Sequence, residues 1–552
     1  MIRAALKIYI DECFQKGVAQ GLWTDRAAGK YAVEVPKREN QGDYSTNLAM
    51  VVAGIDKKNP REIASQLTAM LEENDNLVKS VEVAGPGFVN VTIKSSVWST
   101  VLEKIEQGGS DFGRSKVGNN KRVMVEFVSA NPTGPLSVGH GRQAILGDSI
   151  ARLLEVTGHE VYREYYYNNA GRQMRVLAQS VRGRYLEQLG LDGDFPEDGY
   201  QGGYITDIAS ELISEVGEGL KESSELEPFQ KKAEQAIFKD ISGTLEKIGI
   251  TFDNYYNEQS LYDDGHIDSV VEELRGKDLV YEQDGAVWFK TTDFGQEQDR
   301  VIIKSTGEPT YRLPDIAYHR EKFKRNFDWL IDIFGSDHIA TVPDVMAGVK
   351  ALGYDPTAVT VVLHQFVTLM RDGKQVKMST RKATFVTVDD LLDEVGADVL
   401  RFFFMMRKPD SQLEFDLNLA TKESQENPVY YVQYGYARLC SIIRQAEEKG
   451  FTVTDYGSID QSCLIEAEEF QLLKTMASFP ALIESAALDL APHRVIFYLI
   501  ELAGQFHSYY NKHKVISDDP ALTQARLCLI SGLKTLFGNG LTFVGLGTPE
   551  KM

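Results

Sequence analysis

The sequence predicts a multidomain α/β protein. A Rossmann-like catalytic domain occupies the middle, an N-terminal α+β domain precedes it and an all-helical C-terminal bundle follows it. Three features predict this. First, the chain has 552 residues, and at roughly 100–200 residues per domain that length suggests three or four domains. Second, a strand–loop–helix–strand unit starts at Lys121, which is how a doubly wound sheet begins. Third, helical periodicity dominates beyond about residue 420, as in a helix bundle.

In chain order, residues 1–115 alternate helix and strand. A helix over 1–20 precedes the strand-like YAVEVPK, and the polar RENQGDYSTNLAM runs into a second helix. VEVAGPGFVNVTI has the pattern of a hairpin, with Gly85, Pro86 and Gly87 as its turn. The Gly/Ser/Asn-rich IEQGGSDFGRSKVGNN is expected to be a linker. The middle domain is placed at 120–390. In it RVMVEFVS is a buried strand, ANPTGPLSVGHGR a Gly/Pro loop and QAILGDSIARLLEVTG a helix closed by Gly158, with EVYREYYYN the next strand. Later strands are expected at VIIKS, WLIDIFG and VTVVLHQFV. A connecting stem at 391–420 leads to the helical domain at 421–552, with breaks at DYGSID and ISDDPA.

Composition is that of an ordinary folded protein, 43% hydrophobic and 25% charged. Charge is less ordinary: 59 basic against 80 acidic residues give −21 and a pI near 5. Alone, that argues against a generally basic nucleic-acid binder. The excess is local, however. Residues 187–227 hold twelve acidic residues and one lysine, whereas residues 1–186 carry a net +4. The acidic stretch is read as a solvated insertion, placed at about 187–250. The basic runs 319–325 and 371–382 lie elsewhere and can steer a polyanion locally.

Cys13, Cys440, Cys463 and Cys528 are widely separated, with no CxxC and no companion histidine cluster. Free thiols are therefore expected, with no zinc site and no disulfide framework. Asp11 and Glu12 interrupt what would be the apolar region of an export signal, and no run of eighteen apolar residues occurs. A cytoplasmic protein without a membrane span is the expectation.

Two segments carry chemistry. In 131–142 the loop follows a strand and opens a helix. Gly139 and Gly141 allow close backbone approach, and His140 sits where a phosphate oxygen would meet a helix N-terminus. In 371–382 five basic residues face one Asp372, which suits a loop that stabilises charge on a departing pyrophosphate. A tight turn and a solvated lysine-rich loop are the bland alternatives, and the pairing of the two segments favours the nucleotide.

SVGH and KMSTR resemble the HIGH and KMSKS signatures of class I aminoacyl-tRNA synthetases. With NPTGPLSVGHGR, EYYYNNAGRQM, TYRLPDIAYH, FGSDH and ENPVYYVQYGYARL in order, the chain is similar to the arginyl-tRNA synthetases almost end to end. The resemblance implies activation of arginine by ATP, with Mg²⁺ on the phosphates, and transfer of arginyl to the 3′ end of its tRNA. Cytoplasmic location and a monomer are the family expectations.

By the same resemblance, His140, Lys377, Arg381 and Lys382 would act in catalysis. Pro132, Gly134, Ser137, Gly139, Gly141, Asp337, His338, Met378 and Ser379 would join His140 around ATP. Glu126 and Asn131 would take the α-amino end of arginine, and Tyr311 and Asp315 its guanidinium, which needs carboxylate acceptors. Asn40, Asp43 and Asn47 would approach the tRNA elbow, and Tyr430, Tyr434, Arg438 and Arg494 the anticodon arm. Two departures stand out. Ser137 replaces the first histidine of HIGH, and Thr380 the second lysine of KMSKS. They leave room for two alternatives, an inactive RNA-binding paralogue and another nucleotidyltransferase ligase with the same signature pair.

Overall fold

The computed structural model describes residues 1–36, 41–73, 76–376, 386–453 and 456–552. At its centre five parallel strands lie in the spatial order 359–364, 329–335, 122–126, 160–167 and 254–257. The strand Arg122–Glu126 is the first of these in sequence and the middle one in space. The chain winds outward from it on one side through Glu160–Tyr167 and on the other through Trp329–Gly335. That reversal is the switch point of a doubly wound sheet, where ligands bind beyond the carboxyl ends of the strands. Val123, Met124, Val125, Leu330, Ile331 and Ile333 are fully buried, as a sheet covered on both faces requires.

The helix Val138–Val156 crosses from the central strand to its neighbour and presses against Phe127. The expected strand VIIKS exists as Arg300–Ile303, but it belongs to a separate three-stranded antiparallel sheet with Val280–Gln283 and Ala286–Phe289. That sheet and the helices around it bury a second core, which includes Leu274, Phe289, Leu313 and Ile316. VTVVLHQFV divides into Val359–His364 and Val367–Arg371, and the latter joins another small sheet.

The N-terminal part carries a four-stranded sheet containing the expected hairpin, Val78–Ala84 and Phe88–Ile93. The long C-terminal helices are Pro428–Glu448, Ala467–Leu488, His493–Lys512 and Pro520–Phe543. Asn59, Asn427 and Asp519 each cap a helix whose first residue is proline. The side-chain oxygen takes an otherwise orphaned N–H, proline needs none, and each cap contributes about 1 kcal/mol.

Two expectations change. The acidic stretch is not simply solvated. It forms the helix Gly203–Val216, which buries Ile205, Ile208, Ala209 and Leu212 and leaves its carboxylates on the outer face. The glycine-rich linker is docked: its first residues end the helix Ser95–Gly108, and Asn539 of the last long helix donates to the Gly109 and Phe112 carbonyls. Among the described residues no helix is long and apolar enough to cross a membrane.

Candidate active site

A cavity of about 770 Å³ opens at the switch point. Its wall comes from the loop after the central strand, the N-terminus of the helix Val138–Val156, the ends of the strands beside them and the helix Arg312–Lys324.

At one end Ser137 caps the helix. Its Oγ accepts from the His140 N–H at 3.5 Å, and His140 Nδ1 lies 3.3 Å from the Ser137 N–H. The serine that replaces the signature histidine thus locks His140 in a reciprocal cap, and Ser137, Val138, Gly139 and His140 of this helix start line the cavity. Burial depresses the His140 pKa, so the ring is neutral at pH 7 and meets an anion through hydrogen bonds rather than charge. Gly139 lines the cavity, where a Cβ would lie 3.7 Å from Ser137 Oγ. Gly141 faces inward instead, where a Cβ would fall 2.8 Å from Val388.

Pro132 and Gly134 also shape the loop without lining the cavity. Pro132 is buried, and a Cβ at Gly134 would lie 2.9 Å from the hydroxyl of Tyr204, which donates to the Thr133 carbonyl. Pro132, Gly134 and Gly141 are not among the residues lining the cavity, and the space beside Gly134 and Gly141 is taken by protein. Asp337 and His338 line the cavity on the short turn after Trp329–Gly335. Lys377, Met378, Ser379, Arg381 and Lys382 lie outside the described residues. Their flank does not: Val386 lines the cavity, Thr387 bridges to Ser137, and the Val388 N–H donates to the Leu136 carbonyl at 2.9 Å.

The opposite end is acidic. Glu126, Asp315 and Glu258 all line it. Asp315, in the first turn of its helix, is pushed up to about 7, chiefly by burial, with Glu258 and Glu126 adding repulsion against the opposing pull of His319. Glu258 accepts from the Tyr166 hydroxyl (2.8 Å) and from Asn168 Nδ2 (2.7 Å), and burial raises its pKa too. Asn131 Oδ1 holds the Asn168 N–H at 3.0 Å. Tyr311 stands at the mouth, 88% exposed. Carboxylates gathered in so apolar a setting are costly until a cation arrives, and a planar guanidinium matches them.

Several of these features escape sequence reasoning. Glu258 follows a short edge strand far along the chain, with no motif around it. Val128 and Ser129, consecutive and non-glycine, both have positive φ (67° and 44°), a strained turn that brings Ser129 Oγ to 3.1 Å from Glu126. Arg142 is buried and donates to the carbonyls of Gln365, Lys408 and Ser411, which fastens the helix Val138–Val156 to the stem. Only the folded chain brings these groups together.

Three family models match in order: an arginyl tRNA synthetase N-terminal domain over 2–93, a class I (R) tRNA synthetase catalytic domain over 102–409 and a DALR anticodon-binding domain over 432–552. An arginine–tRNA ligase of Desulfotalea psychrophila is 68% identical over all 552 residues, covering both chains completely. The chain belongs to the arginyl-tRNA synthetases. Another arginine–tRNA ligase, from Salinibacter ruber, is 49% identical over 94% of this chain and 95% of its own. The fold is shared with the arginyl-tRNA synthetase of Thermus thermophilus, at a TM-score of 0.77 and 22% identity, with complete coverage of both chains.

On this synthetase the residues expected to face tRNA fall into two groups. Asn40 lies outside the described residues. Asp43 is turned inward, where it accepts from the Ile93 N–H and pairs with Lys474 of the helical domain at 2.5 Å. Asn47 is engaged by the Ala32 N–H at 2.8 Å. The Asp43 carboxylate thus joins the N-terminal and helical domains. Tyr430 and Tyr434 stack at 5.7 Å and are half-buried; Arg438 lies over the Tyr434 ring, and Arg494 pairs with Asp489 at 2.5 Å.

Proposed function

We propose that the two ends of this cavity hold the two reactants of arginine activation. The observation that carries the reading is that one cavity has a capped helix N-terminus at one end and Asp315 with Glu258 at the other. ATP phosphates fit the first, where N–H groups and the neutral His140 ring complement negative charge. The arginine guanidinium fits the second, and Glu126 and Asn131 lie between for the α-ammonium. A carboxylate oxygen of arginine then attacks the α-phosphorus in line, and the bond to pyrophosphate breaks. Next, a ribose hydroxyl of the terminal adenosine attacks the arginyl carbonyl, and AMP leaves. Positioning and charge stabilisation do the catalysis.

Lys377, with Arg381 or Lys382, is assigned to the departing pyrophosphate, since Val386 beside this segment lines the cavity. The cavity carboxylates cluster at the arginine end, and Asp337 alone neighbours His364 and the helix N-terminus. These residues fit Mg²⁺ carried on the phosphates with its own waters, not a protein cage. The N-terminal domain (1–115) is assigned to the tRNA elbow and the C-terminal bundle (421–552) to the anticodon arm. The enzyme is taken to act as a monomer in the cytoplasm, where tRNA is used.

Arginine-dependent exchange of pyrophosphate into ATP, measured with and without the tRNA for arginine, tests this. Exchange with arginine and with no other amino acid is expected. No exchange even with tRNA present would overturn the reading and favour an inactive paralogue.

A further inference from the structure

Glu126 lies in register with Asp332 on one neighbouring strand and with Glu164 on the other. Three carboxylates thus stand in a row across the sheet, each about 5 Å from the next by strand spacing, and Glu126 and Asp332 of the three line the cavity. Glu164 is satisfied by both guanidinium nitrogens of Arg325 (2.6 and 2.7 Å) and by the Tyr318 hydroxyl. Glu126 and Asp332 share a single cation. The Lys322 ammonium lies 2.5 Å from Glu126 Oε2 and 2.6 Å from Asp332 Oδ1, wholly buried two turns beyond Asp315 on the same helix. The second Asp332 oxygen takes His319 at 2.8 Å, and the second Glu126 oxygen takes Ser129.

We infer that Lys322 is a positioning residue for the arginine α-ammonium: its contact biases the Glu126 carboxylate toward the charged form and holds it in place at the cavity wall. The inference rests on the reading that Glu126 binds that ammonium. Burial, with the Asp332 charge, raises the Glu126 pKa even with the ammonium in contact; Lys322 is the strongest influence the other way and limits that rise. From the helix, Asp315 and His319 also face this group; from the strands, Glu164 and Tyr166 do. Glu164 is neutralised by Arg325, and none of the others can replace an ammonium in contact. Without Lys322 the balance would move further toward the neutral form of Glu126, and a neutral carboxyl attracts the substrate ammonium far less.

The test is the Michaelis constant for arginine in tRNA-supported pyrophosphate exchange between pH 6.5 and 9, for wild type, Lys322→Gln, Lys322→Arg and Glu126→Gln. Lys322→Gln is expected to raise the arginine KM about tenfold at pH 7, with the ratio to wild type shrinking as pH rises and Glu126 regains its charge, by up to tenfold per unit. Lys322→Arg should restore the constant to within about threefold, because a guanidinium still supplies charge and donors. Glu126→Gln should raise it by a factor that pH does not change. If Lys322→Gln does not fold, Lys322→Gln with Asp332→Asn carries the same test, since it removes the cation together with one of its anions. A pH-independent ratio in Lys322→Gln, or in its double variant with Asp332→Asn, would overturn the inference while leaving the pocket assignment intact. An unchanged KM in Glu126→Gln would overturn the assignment itself.

Discussion

Arg401 donates from Nη2 to Asp148 Oδ2 at 2.5 Å, and both side chains are almost wholly buried. Asp148 stands on the helix whose first turn holds Ser137 and His140, and Arg401 stands on the stem helix Ala397–Met405. The same guanidinium reaches the Ile248 carbonyl at 2.9 Å and the Val544 carbonyl, just past the last long helix, at 3.0 Å. One side chain thus joins the helix of the nucleotide end, the acidic insertion, the stem and the end of the helical domain.

Arg401→Ala should therefore be among the more damaging changes away from the cavity. Arg152 (2.6 Å) and Arg163 (3.7 Å) still face Asp148, so the carboxylate keeps a partner, but two buried carbonyls lose their donor. A loss of about 3 kcal/mol is expected, the low end for breaking a buried pair. It should appear as a lower urea midpoint, and a midpoint within experimental scatter of wild type would contradict it.

Ser137→Ala removes the cap that holds His140. About 1 kcal/mol of local stability should go with it, and pyrophosphate exchange should fall several-fold in kcat with little change in the arginine KM. Ser137→Thr keeps an oxygen at the cap and should retain most activity. Equal activity of the alanine and threonine variants would show that the cap does not position His140.

The arginine KM should depend on pH through Asp315, whose carboxyl is pushed up to about 7. Cationic arginine needs the ionised form, so the constant should rise by up to tenfold per unit as pH falls below 7 and level off above it. The sign for stability is opposite. The folded free protein holds this proton more tightly than the unfolded chain, so the group's contribution is present at low pH and is lost as pH rises toward 7. Bound arginine should accordingly raise the melting temperature more at pH 8 than at pH 6. A larger shift at pH 6 would contradict the assignment.

Asp315→Asn keeps the shape of the pocket and removes its charge. The arginine KM should increase by about a hundredfold or more, as for a lost charge-assisted contact in a desolvated site, while the ATP KM changes little. A rise of less than threefold would move guanidinium recognition to Glu258.

Asp43→Asn tests the interdomain role of its carboxylate. The pair with Lys474 is half open to water on the lysine side, so its loss should cost under about 1 kcal/mol. The KM for tRNA should stay within about threefold of wild type. A tenfold rise at unchanged melting temperature would return Asp43 to the RNA surface.

The sequence by itself determined the layout and the nucleotide end. Apolar β-branched runs, an Asn or Asp followed by proline at helix starts, and a glycine-rich loop between strand and helix are local signals. Local backbone preference makes them legible, so the central strand, its crossover helix and the helical C-terminal region follow from neighbouring residues alone. The arginine end was only half legible. Asp315 lies in a motif, but Lys322 meets Glu126 across 196 residues of chain and Glu258 reaches the same cavity from 132 residues beyond Glu126, and no local pattern records such a meeting. Asp43 shows the same limit from the other side: its polar loop reads as an RNA surface, yet Lys474 from a distant helix pairs with its charge. Whether a charged residue serves substrate, partner or fold depends on what stands within about 4 Å of it and how much water is excluded. Only tertiary packing sets those two quantities.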